Sequence, residues 1–516
     1  MTDPAASSSP SINIVGAGTM GSGIALAALY AGFRVGLFDV SGQVLEQAEA
    51  YLTRHLERKD QLHARKQLSL STSLKALPPA DLWLEAVPEK LDLKLDVIAQ
   101  VENLAGDEAV IATNTSTLSV TALAAAANRP GRVVGMHFFN PAAVLPLVEV
   151  VRGAASDPSA VERALAIARA LGKTPVEVAD SPGFIVNRVA RPFYGEALRL
   201  LGEGAADVAT IDLAVESVGF KMGPFRLMDL IGIDINFAAA SSVFEQTFYE
   251  PRFRPHPIQR QMVAQGKLGR KTGSGFYDYD DGSTEAEPVV WPKAGGLGPV
   301  AVEGRVWADG LRARLAEVGF ELTDDWSQAA AGFVVAGSEQ DPAGLLAQAE
   351  RRLPAGLPLF VQANDVALSQ VELELESDRL VAFDAWFVNE ARSLSLIAGQ
   401  ALDGQVRQRA EAVVTALGRR PLWLPDSPAL ILPRIVGMLV NEAAFTVGDG
   451  VAEAATVDRA MQLGANYPHG PLAWGQRLGW DKVVRSLDHL RAEYGEERYR
   501  VAPLLRRWAR RKQQLA

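Results

Sequence analysis

No cysteine occurs in the chain. That one absence excludes disulfides, thiolate metal ligands and a cysteine nucleophile, and makes a reducing cytoplasm the expected compartment. Residues 1–10, Met-Thr-Asp-Pro-Ala-Ala-Ser-Ser-Ser-Pro, lack the basic and apolar segments of a secretion signal, and no apolar run reaches membrane-spanning length. A soluble chain that begins with a short disordered arm is expected. Neither sign of charge forms a long run: 51 basic against 61 acidic residues leave a net charge of −10, with no footprint for nucleic acid. Nucleic acid, membrane and metal are therefore not expected as partners. What the chain does have is length and apolarity: at 516 residues and 48% hydrophobic, it can bury the cores of about three or four domains.

The first organised stretch is an apolar strand, Ser11–Val15, that runs into Gly16, Ala17, Gly18, Thr19, Met20 and Gly21 and then into an Ala/Leu-rich helix. Strand, GxGxxG and helix stand in the order a dinucleotide site requires. Gly16 allows the tight turn, Gly18 lets backbone approach a pyrophosphate, Gly21 lets the helix pack closely, and the helix N-terminus supplies positive potential. A second strand, 34–38, ends in Asp39, whose carboxylate can accept both ribose hydroxyls and repels a 2′-phosphate. NAD is the cofactor this pattern selects; a glycine-rich turn in an unrelated sheet would leave Asp39 unexplained.

Residues 45–66 read as helix and carry Arg54, His55, Arg58, Lys59, His63, Arg65 and Lys66, a pattern that fits either a solvated face or a cationic wall for a phosphate-bearing substrate. Strands follow at 82–87, 109–113, 132–137 and 147–151, with helices at 91–104 and 119–127 between them. This alternation predicts a mostly parallel, doubly wound sheet, in which chemistry collects at the carboxyl ends of strands. Two candidates lie at such ends: the run Asn114, Thr115, Ser116, and His137, enclosed by Phe138, Phe139 and two prolines with Glu149 on the next strand. An imidazole between apolar walls with a carboxylate in reach is a candidate general base; a core histidine ending a strand is the alternative. After a further helix (160–171) and strand (175–178), the run from Asp180 to Arg188 opens a helical region. Ser181 and Pro182 read as the helix start, with Asn187 about one and a half turns into that helix.

The second half of the chain reads as a copy of the first. Ala170, Asp180 and Ala209 answer to Ala416, Asp426 and Ala455 at a constant displacement of 246 residues, and Gly223 to Gly470 at 247. Carried upstream, the register sets Asp384 against His137, Pro433 against Asn187 and, with a small further shift, Val366 against Ser116; no GxGxxG survives between Val302 and Phe320. The copy has lost the cofactor turn, the base and its polar partners together. That argues that His137, Ser116 and Asn187 form one functional set and that the copy is structural. The expected architecture is a Rossmann-type α/β domain (residues 1–179), an all-α domain (180–280), a Gly/Pro-rich linker (281–299), a degenerate Rossmann-like repeat (300–422) and a second helical domain (423–516). The helical domains would form an intramolecular pseudo-dimer, with a homodimer still open.

These motifs, together with Leu147 to Val151 and Lys271 to Tyr277, resemble in order and spacing those of the L-3-hydroxyacyl-CoA dehydrogenases over residues 11–279. The whole chain is similar to the longer bacterial form, which carries a degenerate second copy. The resemblance implies NAD-dependent oxidation of a (3S)-3-hydroxyacyl-CoA to the 3-oxoacyl-CoA, as in fatty acid β-oxidation or phenylacetate-type aromatic degradation, with 3-hydroxybutyryl-CoA or 3-hydroxyadipyl-CoA as substrate. It implies His137 as general base, Glu149 as its orienting carboxylate, and Ser116 and Asn187 as hydrogen-bond partners of the reacting oxygen or the substrate carbonyl. Glu89, Lys94, Asn140 and Lys271 are implied near the nicotinamide end. In the arm that holds CoA the family has a serine and a lysine; His55 and Leu62 stand in their places, and His55, Arg58 and Lys59 are the substrate contacts the resemblance leaves. A dehydrogenase of free hydroxy acids shares the glycine turn and the helical domain, and a non-catalytic NAD-binding scaffold is the third reading. Turnover of free acids alone would favour the former, and no NAD reduction with any 3-hydroxyacyl-CoA the latter.

Overall fold

The computed structural model describes residues 10–279, 290–336, 342–364, 367–372, 375–512 and 515. The N-terminal arm, the first half of the expected linker and Val366 lie outside them. The chain divides into two units, Met1–Val189 with Thr446–Asn466, and Ala190–Phe445 with Tyr467–Ala516.

The first unit holds an eight-stranded sheet: β1 (Ser11–Val15), β2 (Arg34–Phe38), β3 (Leu68–Ser71), β4 (Leu82–Glu85), β5 (Val110–Thr113), β6 (Val133–Phe138), β7 (Leu147–Arg152) and β8 (Thr174–Ala179). The order is β3-β2-β1-β4-β5-β6-β7-β8. Every neighbouring pair is parallel except β6 and β7, whose short connection reverses the chain. β1, β4, β5 and β6 are buried at every residue. Strands buried along their whole length need helices on both faces, and Thr19–Tyr30, Gly42–Glu57, Leu91–Glu102 and Pro158–Ala170 provide them.

Three expectations are corrected here. β3 was not visible as a strand, because Leu-Ser-Leu-Ser is the short, half-polar sequence of an edge strand. The helix expected over 45–66 is Gly42–Glu57 followed by a separate 3-10 turn, Leu62–Gln67; Asp60 at φ 55° breaks the run between them. The segment from Ser181 is a turn rather than a helix start, with Gly183 at φ 76° and Phe184 at φ 48°, and the helix is the single turn Val186–Val189.

The second unit holds a seven-stranded sheet: β9 (Pro299–Gly304), β10 (Glu321–Leu322), β11 (Ala331–Val335), β12 (Leu359–Gln362), β13 (Leu380–Phe383), β14 (Ser393–Ala398) and β15 (Arg420–Leu424), in the order β10-β9-β11-β12-β13-β14-β15. This is the first order without its β3 edge, and the antiparallel pair, β13 with β14, falls at the same place. Small devices repeat as well. Asn114 accepts the Phe138 N–H at 2.9 Å and Asn364 accepts the Ala385 N–H at 3.1 Å. Asp180 accepts from Val120 and Thr121 as Asp426 accepts from Leu368 and Ser369. The repeated pair of asparagines assigns Asn114 to the scaffold.

Each helical copy lends one helix to the other copy's sheet. In the first unit Ala454–Ala465 packs on β7 and β8, and the Ala179 N–H donates to the Val451 carbonyl at 2.9 Å. In the second unit Val208–Glu216 packs on β14, and the Arg392 N–H donates to the Ser217 carbonyl at 3.0 Å. The second unit also joins residues of both helical copies through one buried ionic cluster. Glu196, fully buried, accepts from Arg434 at 2.9 Å and Arg498 at 2.6 Å, and Arg434 continues to Glu203 at 2.8 Å. Burial alone would raise the Glu196 carboxyl, but Arg498, Arg434 and Arg199 outweigh it and hold it at about 2. Helix Ile431–Gly448 is long and apolar enough to cross a membrane, but 89% of it is buried within the protein, as befits a core helix.

Candidate active site

The glycine turn is built by steric exclusion. Gly16 has φ 107°, and a Cβ on it would meet the Ala86 carbonyl oxygen at 2.7 Å. A Cβ on Gly21 would fall 1.8 Å from the Gly16 oxygen, so the helix can start this close to the strand only without side chains. At Gly18 a Cβ would meet nothing within 4 Å. That open backbone precedes Thr19 and Met20 on the first turn of Thr19–Tyr30, whose leading N–H groups have no intrahelical acceptor. Asp39, just past β2, accepts the Ala17 N–H at 2.9 Å and the Ser41 N–H at 3.0 Å. A carboxylate has about four acceptor positions, so the bonds to Ala17 and Ser41 orient Asp39 and leave capacity for a ribose. These residues fit a dinucleotide.

Further along the sheet, antiparallel pairing of β6 with β7 sets His137 directly across from Glu149. His137 is 6% exposed and its Nδ1–H donates to Glu149 at 2.7 Å. The rings of Phe139 and Phe184 stand 4.4 Å and 5.8 Å from the imidazole. The other oxygen of Glu149, which is fully buried, accepts the N–H groups of Ile185 and Val186, each at 3.0 Å. The positive-φ turn at Gly183 and Phe184 is what aims these two amides. Sequence reasoning missed them, and Gly183 was the signal that could have found them. Asn187 follows Val186 on the same short helix.

Ser116 lies in the loop after β5, and its N–H donates to Glu89 at 2.9 Å. Glu89 gathers that loop, also accepting from the Thr115 hydroxyl at 2.6 Å and from the N–H and hydroxyl of Thr117 at 2.9 and 3.0 Å. Lys94 is buried beneath it, 2.7 Å from Glu85, 3.2 Å from Glu89 and 3.2 Å from the Val87 carbonyl. Burial pushes the Glu89 carboxyl up, yet Lys94 and the hydrogen bonds from Thr115, Ser116 and Thr117 prevail and hold it at about 2. A depressed carboxylate stabilises the fold above its ordinary value of 4.5 and loses that contribution as pH falls toward about 2. Glu89→Gln is therefore expected to lower the melting temperature at neutral pH and to flatten its decline between those limits, measured by calorimetry across an acid series.

The other expected contacts are more dispersed. Asn140 is exposed beside Pro141. Lys271 belongs to the second unit, where it pairs with Asp234 at 2.6 Å. On the arm, His55 Nδ1 lies 2.8 Å from the Tyr51 carbonyl, Lys59 sits 4.4 Å over the Tyr30 ring, and Arg58 is exposed. Among the described residues no group of three or more His, Cys, Asp or Glu could hold a metal ion.

The second copy shows what its lost residues leave behind. The β13–β14 register opposes Asp384 to Ser395, so the carboxylate partner is gone along with the histidine. Asp384, 1% exposed, accepts from Asn364 at 2.8 Å and from the Trp386 N–H at 2.9 Å. Burial pushes its carboxyl up to about 6 against those bonds. Stability from a raised carboxyl is present below the ordinary 3.8 and lost as pH rises through about 6. Asp384→Asn is expected to leave turnover unchanged and to remove that loss in a pH series of melting temperatures; a large fall in kcat would mean that the second copy takes part in chemistry.

The family model described as 3-hydroxyacyl-CoA dehydrogenase, NAD binding domain, matches residues 11–181, and the corresponding C-terminal domain matches 183–279 and again 430–514. The chain is 37% identical over 511 residues, 96% of its length and 97% of the relative's, to a 3-hydroxyadipyl-CoA dehydrogenase of Escherichia coli strain K12. It is 38% identical over 280 residues, 52% of its length and 97% of the relative's, to a probable 3-hydroxybutyryl-CoA dehydrogenase of Bacillus subtilis strain 168. Among solved structures, a 3-hydroxybutyryl-CoA dehydrogenase from Escherichia coli K12 matches at TM-score 0.81 and 34% identity, covering 97% of this chain and 98% of that one.

Proposed function

The chain belongs to the 3-hydroxyacyl-CoA dehydrogenase family and is an NAD-dependent enzyme of that family, and from that premise we propose that His137 is the general base that takes the proton from the C3 hydroxyl of a (3S)-3-hydroxyacyl-CoA. NAD bound on the glycine turn supplies the acceptor for the hydride that leaves C3. With Nδ1–H committed to Glu149, Nε2 is the nitrogen left to receive the proton. Glu149 fixes that tautomer and favours the imidazolium that forms, and the Ile185 and Val186 amides hold Glu149 in turn. Ser116 and Asn187 hydrogen-bond the reacting oxygen or the thioester carbonyl. Glu89 sets the Ser116 loop, and Lys94 acts through Glu89 rather than on the cofactor. Asn140 serves the nicotinamide end, and His55, Arg58 and Lys59 the CoA arm. The observation that carries the reading is the buried chain from His137 through Glu149 to two backbone amides.

The acyl group we assign is short, 3-hydroxyadipyl or 3-hydroxybutyryl, in keeping with what the relatives are named for. Relative kcat/KM on those two thioesters and a long-chain one tests this; preference for the long chain would overturn it. The cysteine-free composition favours the cytoplasm. The Glu196 cluster favours the helical domains as an intramolecular pseudo-dimer, within a division into five segments at 179, 280, 299 and 422.

A further inference from the structure

Helix Ala454–Ala465 comes from the copy that carries none of the proposed chemistry, yet it lies in the first unit against β7 and Val186–Val189. Gly464 lies against both. A Cβ there would stand 2.5 Å from Leu147 Cδ2, 3.0 Å from Val186 Cγ2 and 3.6 Å from Phe139 Cζ. Each of these neighbours is tied to the His137–Glu149 pair. Leu147 is two residues before Glu149 on the same face of β7. The Phe139 ring is 4.4 Å from the imidazole, and the Val186 N–H itself donates to Glu149. Gly464 is the next-to-last residue of the helix, and the contact leaves no room there for a side chain.

Resting on the base-and-carboxylate reading above, we propose that Gly464 is a positioning residue. Its bare backbone lets Leu147, Val186 and Phe139 close on the pair, so the second copy sets the geometry in which the first copy works. A methyl group at 464 must displace the end of the Leu147 side chain, two residues from Glu149 on β7, and presses on Val186, whose N–H holds Glu149.

The test is Gly464→Ala in the full-length chain, assayed with 3-hydroxybutyryl-CoA and NAD. The expected result is a fall in kcat of about 10- to 100-fold, the usual cost of misplacing a reacting group, with NAD affinity unchanged and the pH profile of kcat displaced. Adding Leu147→Val, which shortens the side chain the methyl would strike, should restore kcat. Gly437→Ala, at a position where a Cβ meets nothing within 4 Å, should leave kcat unchanged. Wild-type kcat and pH profile in Gly464→Ala, alongside an inactive His137→Ala, would overturn the proposal alone; an active His137→Ala would overturn the reading beneath it. If Gly464→Ala does not fold, Val186→Ala removes the facing Cγ2 but keeps the amide on Glu149: reduced kcat at unchanged NAD affinity then supports the proposal, and full kcat refutes it.

Discussion

His137→Ala is expected to lower kcat by about two to four orders of magnitude, the usual contribution of a positioned general base, while NAD affinity stays at the wild-type level. The two halves of that result have separate structural causes. The imidazole is 6% exposed, between Phe139 and Phe184, so once it is removed bulk water has little access to the proton it would take. The cofactor turn is held by its own bonds, Gly16 to the Phe38 carbonyl at 2.8 Å and Ala17 to Asp39 at 2.9 Å, and neither involves β6. The variant also leaves one oxygen of a fully buried Glu149 without its donor, a loss of about 1–3 kcal/mol in stability. Single-turnover reduction of NAD, equilibrium binding of NADH by fluorescence and a melting curve measure the three quantities independently. Near-normal turnover would mean that the base lies elsewhere.

The first sheet and the duplication were legible because they rest on patterns that side chains carry: apolar runs at regular spacing, the glycine turn, and motifs recurring at a displacement of 246 residues. The neighbouring positions of β6 and β7 followed from the same runs. What the sequence hid depends on backbone groups or on tertiary partners. The Ile185 and Val186 amides on Glu149 leave Gly183 as their one mark in the sequence, and the positive φ at Phe184 that helps aim them is unusual for a phenylalanine. Lys94 reads as an ordinary charged position on a helix, yet it is 1% exposed because Glu85 and Glu89 both need its charge. Repeat spacing tells which helices correspond, not which sheet each covers. The placement of Ala454–Ala465 on β7 therefore came only from the fold.

Glu149→Gln should be nearly as damaging as loss of the histidine, at about two to four orders of magnitude in kcat, although it removes no bulk. The reason lies in which end of the amide can face which neighbour. One oxygen of Glu149 accepts two backbone N–H groups at 3.0 Å, and those donors cannot turn away, so the glutamine carbonyl must take that side. Its NH2 group then faces His137 Nδ1, where the wild-type carboxylate accepts at 2.7 Å. To avoid two opposed donors the imidazole must place its proton on Nε2, leaving Nδ1 as the acceptor. In that tautomer the nitrogen meant to receive the C3 hydroxyl proton already carries one, and the nearby negative charge that would favour the imidazolium is gone as well. The fold should survive, since each polar atom still has a partner, so a melting temperature within a few degrees of wild type is expected beside the collapsed kcat. Nitrogen-15 NMR of the labelled histidine reads the tautomer directly: a proton on Nδ1 in wild type and on Nε2 in Glu149→Gln. Retention of the Nδ1 proton in the variant, or kcat within a few-fold of wild type, would refute the orienting role assigned to Glu149.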